Sequence, residues 1–427
     1  MQVMKWSVIA LAVAAGSTQM AMASSQSESK GFIEDSSFDI FNRALYMNRD
    51  FRSGGVARKD QSYREEFGLG TRLLFSSGFT QGTVGVGVDA HTLSSVKLDS
   101  GKGRHSNGLF ATDSSGRGED TQSEIGGAIK FRVSDTVLKY GNQMVDTPVF
   151  STDDSRILPE VATGTLLTSN EIQGLEVNVG RFTALNSQVN TGRDSLTVDD
   201  KDDIPRTLKS INFAGASYSI TDDLSVSAYA SRVEDAFNKR YLGANYNLPM
   251  GDDQSLNFDF NFYRTTDTGK ALGGEIDNKI WSLAAAYNIG AHTFTLAHQR
   301  STGNSDYVYG IDGGGTIYLA NSVQYSDFYY EDEKSWQVRY DLDMASYGVP
   351  GLKFMTRYVR GTDINMGAGE RSANERELDI EARYTIQEGP AKDLMFRVRN
   401  AFYRADNRLD NDLNDFRLIV EYPLSVL

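Results

Sequence analysis

The chain contains no cysteine, which excludes a disulfide framework and any cysteine-bound metal centre. Proline is scarce, at 7 of 427 residues, and lies outside the cores of the alternating segments described below. Beyond the first residues there is no uninterrupted apolar run of about 18, the length a membrane-crossing helix needs. Basic residues are outnumbered, 43 Lys and Arg against 57 Asp and Glu for a net charge of −14, and an acidic chain is poorly suited to nucleic acid. Only 4 histidines are present.

What is present begins with an export signal. Lys5 opens a short basic start, an apolar run follows from Trp6 to Ala15, and Ala21-Met22-Ala23 places small residues before a cleavage point between Ala23 and Ser24. Residues 1–23 therefore read as a signal peptide and 24–427 as a single domain. Cleavage removes Lys5 and no acid, so the mature chain is more acidic still. An exported chain without disulfides must be held by its core or, in a membrane, by closed backbone pairing.

Segments of about ten residues alternate in hydrophobicity and are rich in Tyr, Phe, Val and Thr. In Leu256-Asn257-Phe258-Asp259-Phe260-Asn261-Phe262 every second side chain is apolar. Trp336 to Leu342 repeats the pattern, and Phe416 to Tyr422 does so less perfectly. This is the period of a strand with one dry and one wet face. Short connections alternate with long ones along the whole chain, and their order predicts about 18 strands. Even the brief 233–237 stretch takes a long-loop place in that order. The expected fold is an all-β transmembrane antiparallel barrel with short periplasmic turns, long extracellular loops and loops folded inward as a constriction. Tyr46, Tyr140, Trp281, Tyr287, Trp336, Tyr358, Tyr384 and Tyr422 fall near strand ends, where rings bridge lipid tails and headgroups.

Assigning the apolar parity to lipid leaves Arg339, Arg357, Arg383, Arg397, Arg399 and Arg417 on the lumen in the last five strands, and Arg72, Lys130 and Arg132 in the first four. The parity of Arg43 is left undecided. Barrel closure makes these strands neighbours, so they form one basic wall in an acidic protein. The opposite wall carries Glu176, Asn178, Asn257, Asp259, Asn261, Tyr263, Ser282, Thr293, Thr295 and Gln299, with no Lys or Arg in mid-strand. Such a transverse field attracts and orients small anions, and guanidinium suits a bidentate grip on carboxylate. The competing reading is that each Arg pairs with Asp341, Asp379, Glu381 or Glu421 and merely fills the wall.

Two loops are too apolar to be fully solvated. Residues 142–164 hold Pro148, Val149, Phe150, Ile157 and Leu158, together with Asp153, Asp154 and Arg156. Residues 301–333 hold Asp306, Tyr307, Asp312, the glycines 313–315 and an apolar patch at Ile317 to Leu319. Asp153, Asp154 and Asp306 are the expected constriction acids. Catalysis has little to rest on. His91 lies two residues from Asp89 and reads as a hydrogen-bonded wall pair, no nucleophile stands beside a base, no cofactor or metal motif appears, and Gly85 and Gly87 are strand glycines.

Several longer stretches resemble one family. They are Ser77 to Ala90, Asp253 to Phe260, Trp281 to Tyr287, Ala320 to Phe328, Ala345 to Gly351 and the terminus Phe416 to Leu427, and together they resemble the OprD family of pseudomonad outer-membrane carboxylate channels. The resemblance implies an eighteen-stranded barrel and a basic ladder leading to a narrow eyelet, with no cofactor. The ladder would fall on Arg43, Lys130, Arg132, Arg383, Arg397 and Arg399. Arg156 would face the constriction, and Arg181 would join it if a bulge turned its side chain inward. The implied partners are outer-membrane lipid and a small carboxylate, with the aromatic monocarboxylate branch the nearer one, and the protein working as a monomer or weak trimer. A general unselective porin is the alternative; a rim hydrolase or an adhesive barrel fits less well.

Overall fold

The computed structural model describes residues 26–52, 62–99, 104–189, 192–199, 204–251, 253–311 and 317–427. The expected signal peptide, its cleavage point and the 312–315 stretch lie outside the described residues.

Period-two alternation produces eighteen wall strands among the described residues. They are β1 (Ser37–Phe51), β2 (Tyr63–Ser76), β3 (Gly85–Asp99), β4 (Thr121–Val133), β5 (Thr136–Gln143), β6 (Val161–Ile172), β7 (Leu175–Asn186), β8 (Ile211–Ser219) and β9 (Leu224–Val233). The wall continues with β10 (Phe237–Pro249), β11 (Gln254–Asp267), β12 (Asp277–Ile289), β13 (His292–Gly303), β14 (Lys334–Asp343), β15 (Leu352–Ile364), β16 (Ala373–Thr385), β17 (Met395–Ala405) and β18 (Leu413–Ser425). Neighbours pair antiparallel all the way round, and β18 returns to β1 with Arg43 opposite Glu421. The sheet is thereby closed and has no free edge, the condition under which strands can cross a bilayer. Turns such as 134–135, 173–174 and 290–291 lie at one end, and stretches such as 104–120, 204–210 and 317–333 at the other.

The two faces differ as lipid and water require. Trp336 and Val338 are 55% and 62% exposed on the outer face of β14, an arrangement costly in water and favourable against hydrocarbon. On β11 the inward Asn261 and Tyr263 are buried.

The inner face departs from polar alternation where loops cover it. Leu45, Met47, Leu93 and Ile419 point inward and bury Leu109, Phe110, Ile157 and Leu158. Glycines of β2 make the space: a Cβ on Gly68 would come within 2.5 Å of both Ile157 and Phe110, and one on Gly70 within 2.5 Å of Ile157. Val145, Val149 and Phe150 join a second apolar cluster with Phe182, Phe213, Phe237 and Tyr263. The loop between β5 and β6 thus reaches both walls and crosses the lumen. Residues 304–311 and 317–333 also fold inward, and the Tyr318 hydroxyl donates to Asp146 of the first loop at 2.9 Å.

Candidate functional site

Asp154 is the latch of the crossing loop. Its carboxylate sits between Arg43 (2.8 Å) and Arg72 (2.5 Å), while the Arg43 Nε reaches Glu421 at 2.7 Å. Arg43 therefore faces inward. Its Nη1 also donates to the backbone carbonyls of Asp154 and Arg156, at 2.9 and 2.6 Å. Two guanidiniums on one partly buried carboxylate hold the loop by charge-assisted bonds. Beyond this latch comes Arg156, whose Nε donates to the Asn107 carbonyl at 3.0 Å and which makes no ion pair among the described residues. Burial, with Arg417 and Arg49 nearby, pushes its guanidinium down to about 10, so it stays charged at neutral pH.

The acids of the constriction divide differently from expectation. Asp153 accepts from the backbone and hydroxyl of Ser155, both at 2.8 Å. Asp306 is exposed and accepts the Glu331 backbone N–H of its own loop at 2.6 Å. The acid of that loop that feels Asp153 is Asp327, whose carboxyl is pushed up to about 8 by burial and by Glu375 and Asp153.

All the predicted basic wall residues except Arg181 lie on strand faces or loops directed inward. Arg339 grips Asp341 through both oxygens at 2.7 Å, Arg357 meets Asp379 at 2.6 Å, and Arg417 meets Asp415 at 2.7 and 2.9 Å. Arg397 and Arg399 share the single carboxylate of Glu381, at 3.6 and 3.4 Å. Arg383 stands opposite Arg397 in register and has no ion pair or hydrogen bond among the described residues. Lys130 meets Asp89 at 2.7 Å, and the Arg132 guanidinium lies 4.2 Å from the Phe79 ring centre while its Nε donates to Gln26 at 2.8 Å. Strand glycines accommodate this corner, since a Cβ on Gly87 would lie 2.7 Å from the Lys130 stem.

Two readings are corrected by position. Arg181 is exposed on the outer face and donates to Asn212 at 2.8 Å. The register shift in β7 falls beyond it, between the partners of Thr163 and Gly164, and leaves Arg181 opposite Thr165 on the outward parity. His91 does not pair with Asp89, because that carboxylate is taken by Lys130, Lys139 and the Ser76 hydroxyl.

The opposite wall is closed on itself. Tyr241 donates to Asn261 at 2.7 Å, Asn261 to Asp259 at 2.6 Å, and Asn245 bonds both Asn257 and Asp259. One cation interrupts it. Lys239 is 1% exposed on β10, and its ammonium donates to the Tyr307 hydroxyl at 3.0 Å and to the Val308 carbonyl at 2.7 Å.

Sequence reasoning missed Lys139, Lys239, Gln324 and Asp327. Lys139 was available, since Leu138 and Tyr140 mark the outward parity beside it. Lys239 follows the brief 234–236 connection, where strand and loop are hard to separate. Gln324 accepts from the Arg399 Nε at 2.8 Å and donates to the Asp415 carbonyl at 2.6 Å, but a loop residue carries no periodic signal.

Residues 30–426 match the family described as outer membrane porin, OprD family. The chain is 48% identical to Porin D of Pseudomonas aeruginosa over the full length of both. Among solved structures it resembles Pseudomonas aeruginosa OccK9 (OpdG), with TM-score 0.87 and 33% identity over 93% of this chain and 100% of that one. It also resembles Pseudomonas aeruginosa OpdK with vanillate, with TM-score 0.84 and 35% identity over 92% of this chain and 100% of that one. A closed eighteen-stranded barrel with loops folded into its lumen, matched along its length to porins, places this chain in the OprD family of Gram-negative outer-membrane porins.

Proposed function

We propose that the protein is a passive channel for small carboxylates, aromatic monocarboxylates among them, which move along the basic wall. The observation that carries this reading is the surplus of cation over local anion: Arg156 and Arg383 have no carboxylate partner among the described residues, and Arg397 and Arg399 divide one. A carboxylate that sheds water in the pore finds replacement donors there. Several moderate sites in series let it pass from one to the next, whereas one deep site would trap it. A vanillate-bound relative, OpdK, supports the aromatic carboxylate class. In this reading Lys130, Arg132, Arg156, Arg383, Arg397 and Arg399 contact the solute, while Arg43 and Arg72 hold the loop that narrows its path.

A sieve without substrate preference is the second reading, favoured by Arg339–Asp341 and Arg357–Asp379, which neutralise themselves. Proteoliposome uptake of a labelled monocarboxylate beside a neutral sugar of similar size separates the two. Arg397→Gln with Arg399→Gln slows only the carboxylate if the wall guides it, and slows both or neither if the pore is a sieve. We also propose that export removes residues 1–23; N-terminal sequencing of outer-membrane protein is expected to begin at Ser24, and a chain still starting at Met1 refutes cleavage.

A further inference from the structure

The outer face carries a feature that the channel does not use. Toward the long loops its apolar band ends in a row of cations held side by side by strand register. Arg240 of β10 stands opposite Arg264 of β11, which stands opposite Lys279 of β12. Further round, Arg360 of β15, Arg376 of β16 and Arg404 of β17 form a second row of three. Arg300 opposite Lys334 lies between the two rows. Like charges directly opposite one another destabilise a sheet, and here the protein supplies few counter-charges. Arg264 is neutralised by Asp277, Lys334 by Asp363 and Arg404 by Asp412, at 3.9 Å, with further bonds to the Leu413 carbonyl and Asn414. Arg240, Arg300, Arg360 and Arg376 are exposed and have no ion pair or hydrogen bond among the described residues.

Position identifies the missing anion. Each row sits one outward-facing step beyond an apolar or aromatic residue: Leu242, Phe262 and Trp281 in the first, Tyr358, Leu378 and Phe402 in the second. Exposed aromatic rings mark the depth at which hydrocarbon gives way to headgroups, so the guanidiniums lie at headgroup level. The belt is one-sided. At the turn end the same outward parity holds Leu256, Tyr287, Leu352, Tyr384 and Phe396, without a cation. Within the belt, a shallow groove on the outer surface is lined by Arg181, Arg232 and Arg240 with Asn212 and Asn238, above the small side chains of Ala214 and Ala230.

We propose that this belt binds the phosphorylated headgroups of the outer-leaflet lipid, with their acyl chains lying on the apolar band below. Guanidinium pairs bind phosphate bidentately, and a lipid phosphate replaces the counter-charge that the sheet lacks. The test is native mass spectrometry of the full-length folded protein in neutral detergent with bisphosphorylated lipid A, its dephosphorylated form, and excess inorganic phosphate. Wild type is expected to retain the phosphorylated lipid, to ignore the dephosphorylated one and to resist displacement by free phosphate. Arg360→Gln with Arg376→Gln should lose roughly tenfold in retention, about what two exposed charge-assisted contacts supply. Arg360→Lys with Arg376→Lys should keep most of it, and heat-shifted gel mobility shows that both variants are folded. Carboxylate uptake should be unchanged in both. Equal retention of the two lipids, displacement by free phosphate, unchanged binding in the Gln variant, or a protein dimer that this variant abolishes would each overturn the proposal.

Discussion

Between β8 and β13 the inward face carries amides, hydroxyls and rings that satisfy one another, as in the chain from Tyr241 through Asn261 to Asp259. Its one buried cation, Lys239, is consumed by the carbonyls and hydroxyl of loop 304–333. Across the lumen, the strands from β14 through β18 and on to β5 carry pairs and shared acids that leave some guanidiniums uncompensated. Strand geometry is the same on both sides. The difference lies in whether polar groups close on their neighbours or remain available to a solute, and it shows that inward placement alone does not make a residue part of the path.

The widest break in this contrast comes from removing what joins the walls. Deleting residues 150–158 takes out Phe150, Asp154, Ile157 and Leu158, the contacts that the crossing loop makes on both sides. Single-channel conductance is expected to rise at least about twofold, with loss of selectivity; an unchanged conductance in a folded deletion would mean that the loop does not narrow the pore.

A smaller and more selective effect follows from Arg397→Gln with Arg399→Gln. Carboxylate uptake should fall roughly thirtyfold, since each of the two partly buried charge-assisted contacts contributes about 1 kcal/mol. Asn257→Gln on the other wall should change it little, and equal losses from both variants would erase the distinction between the walls. Raised salt should slow wild-type carboxylate uptake through screening.

Gly70→Val presses a side chain into Ile157 where only 2.5 Å is available. It should cost about 1–3 kcal/mol of overpacking strain, seen as a lower temperature for the gel mobility shift and as noisier conductance. A fully stable, quiet channel would mean that the loop docks elsewhere.

The finest effect is on pH. With its carboxyl near 8, Asp327 is mainly neutral at pH 7 and ionises as pH rises past that value. Each ionisation places a negative charge close to Asp153 at the constriction, so carboxylate uptake should decline by a few-fold at most between about pH 7 and 9. Asp327→Asn should flatten the profile, and a decline that survives this substitution assigns the titration to another group.

The barrel was legible because its signal is repeated. Leu256 to Phe262 alternates without a fault, and the order of short and long connections counts the strands without any tertiary contact. Arg339, Arg357 and Arg417 could be directed inward by parity alone. Arg181 was misdirected by resemblance although its parity was correct, and His91 was paired by sequence proximity although Asp89 had stronger partners on β4 and β5.

The sequence by itself determined the closed sheet, the face each strand side chain takes and the apolar character of the crossing loop, because a period of two and the cost of unpaired backbone in lipid are local constraints. Only the tertiary structure decided that Asp154 locks onto Arg43 and Arg72, that Gln324 bridges Arg399 and Asp415, and that Arg383 is left without an ion-pair or hydrogen-bond partner among the described residues. Those outcomes join residues up to 111 positions apart, as Arg43 and Asp154 are, and depend on where aperiodic loops come to rest. Such contacts are set by the packing of the whole lumen, which no single segment encodes.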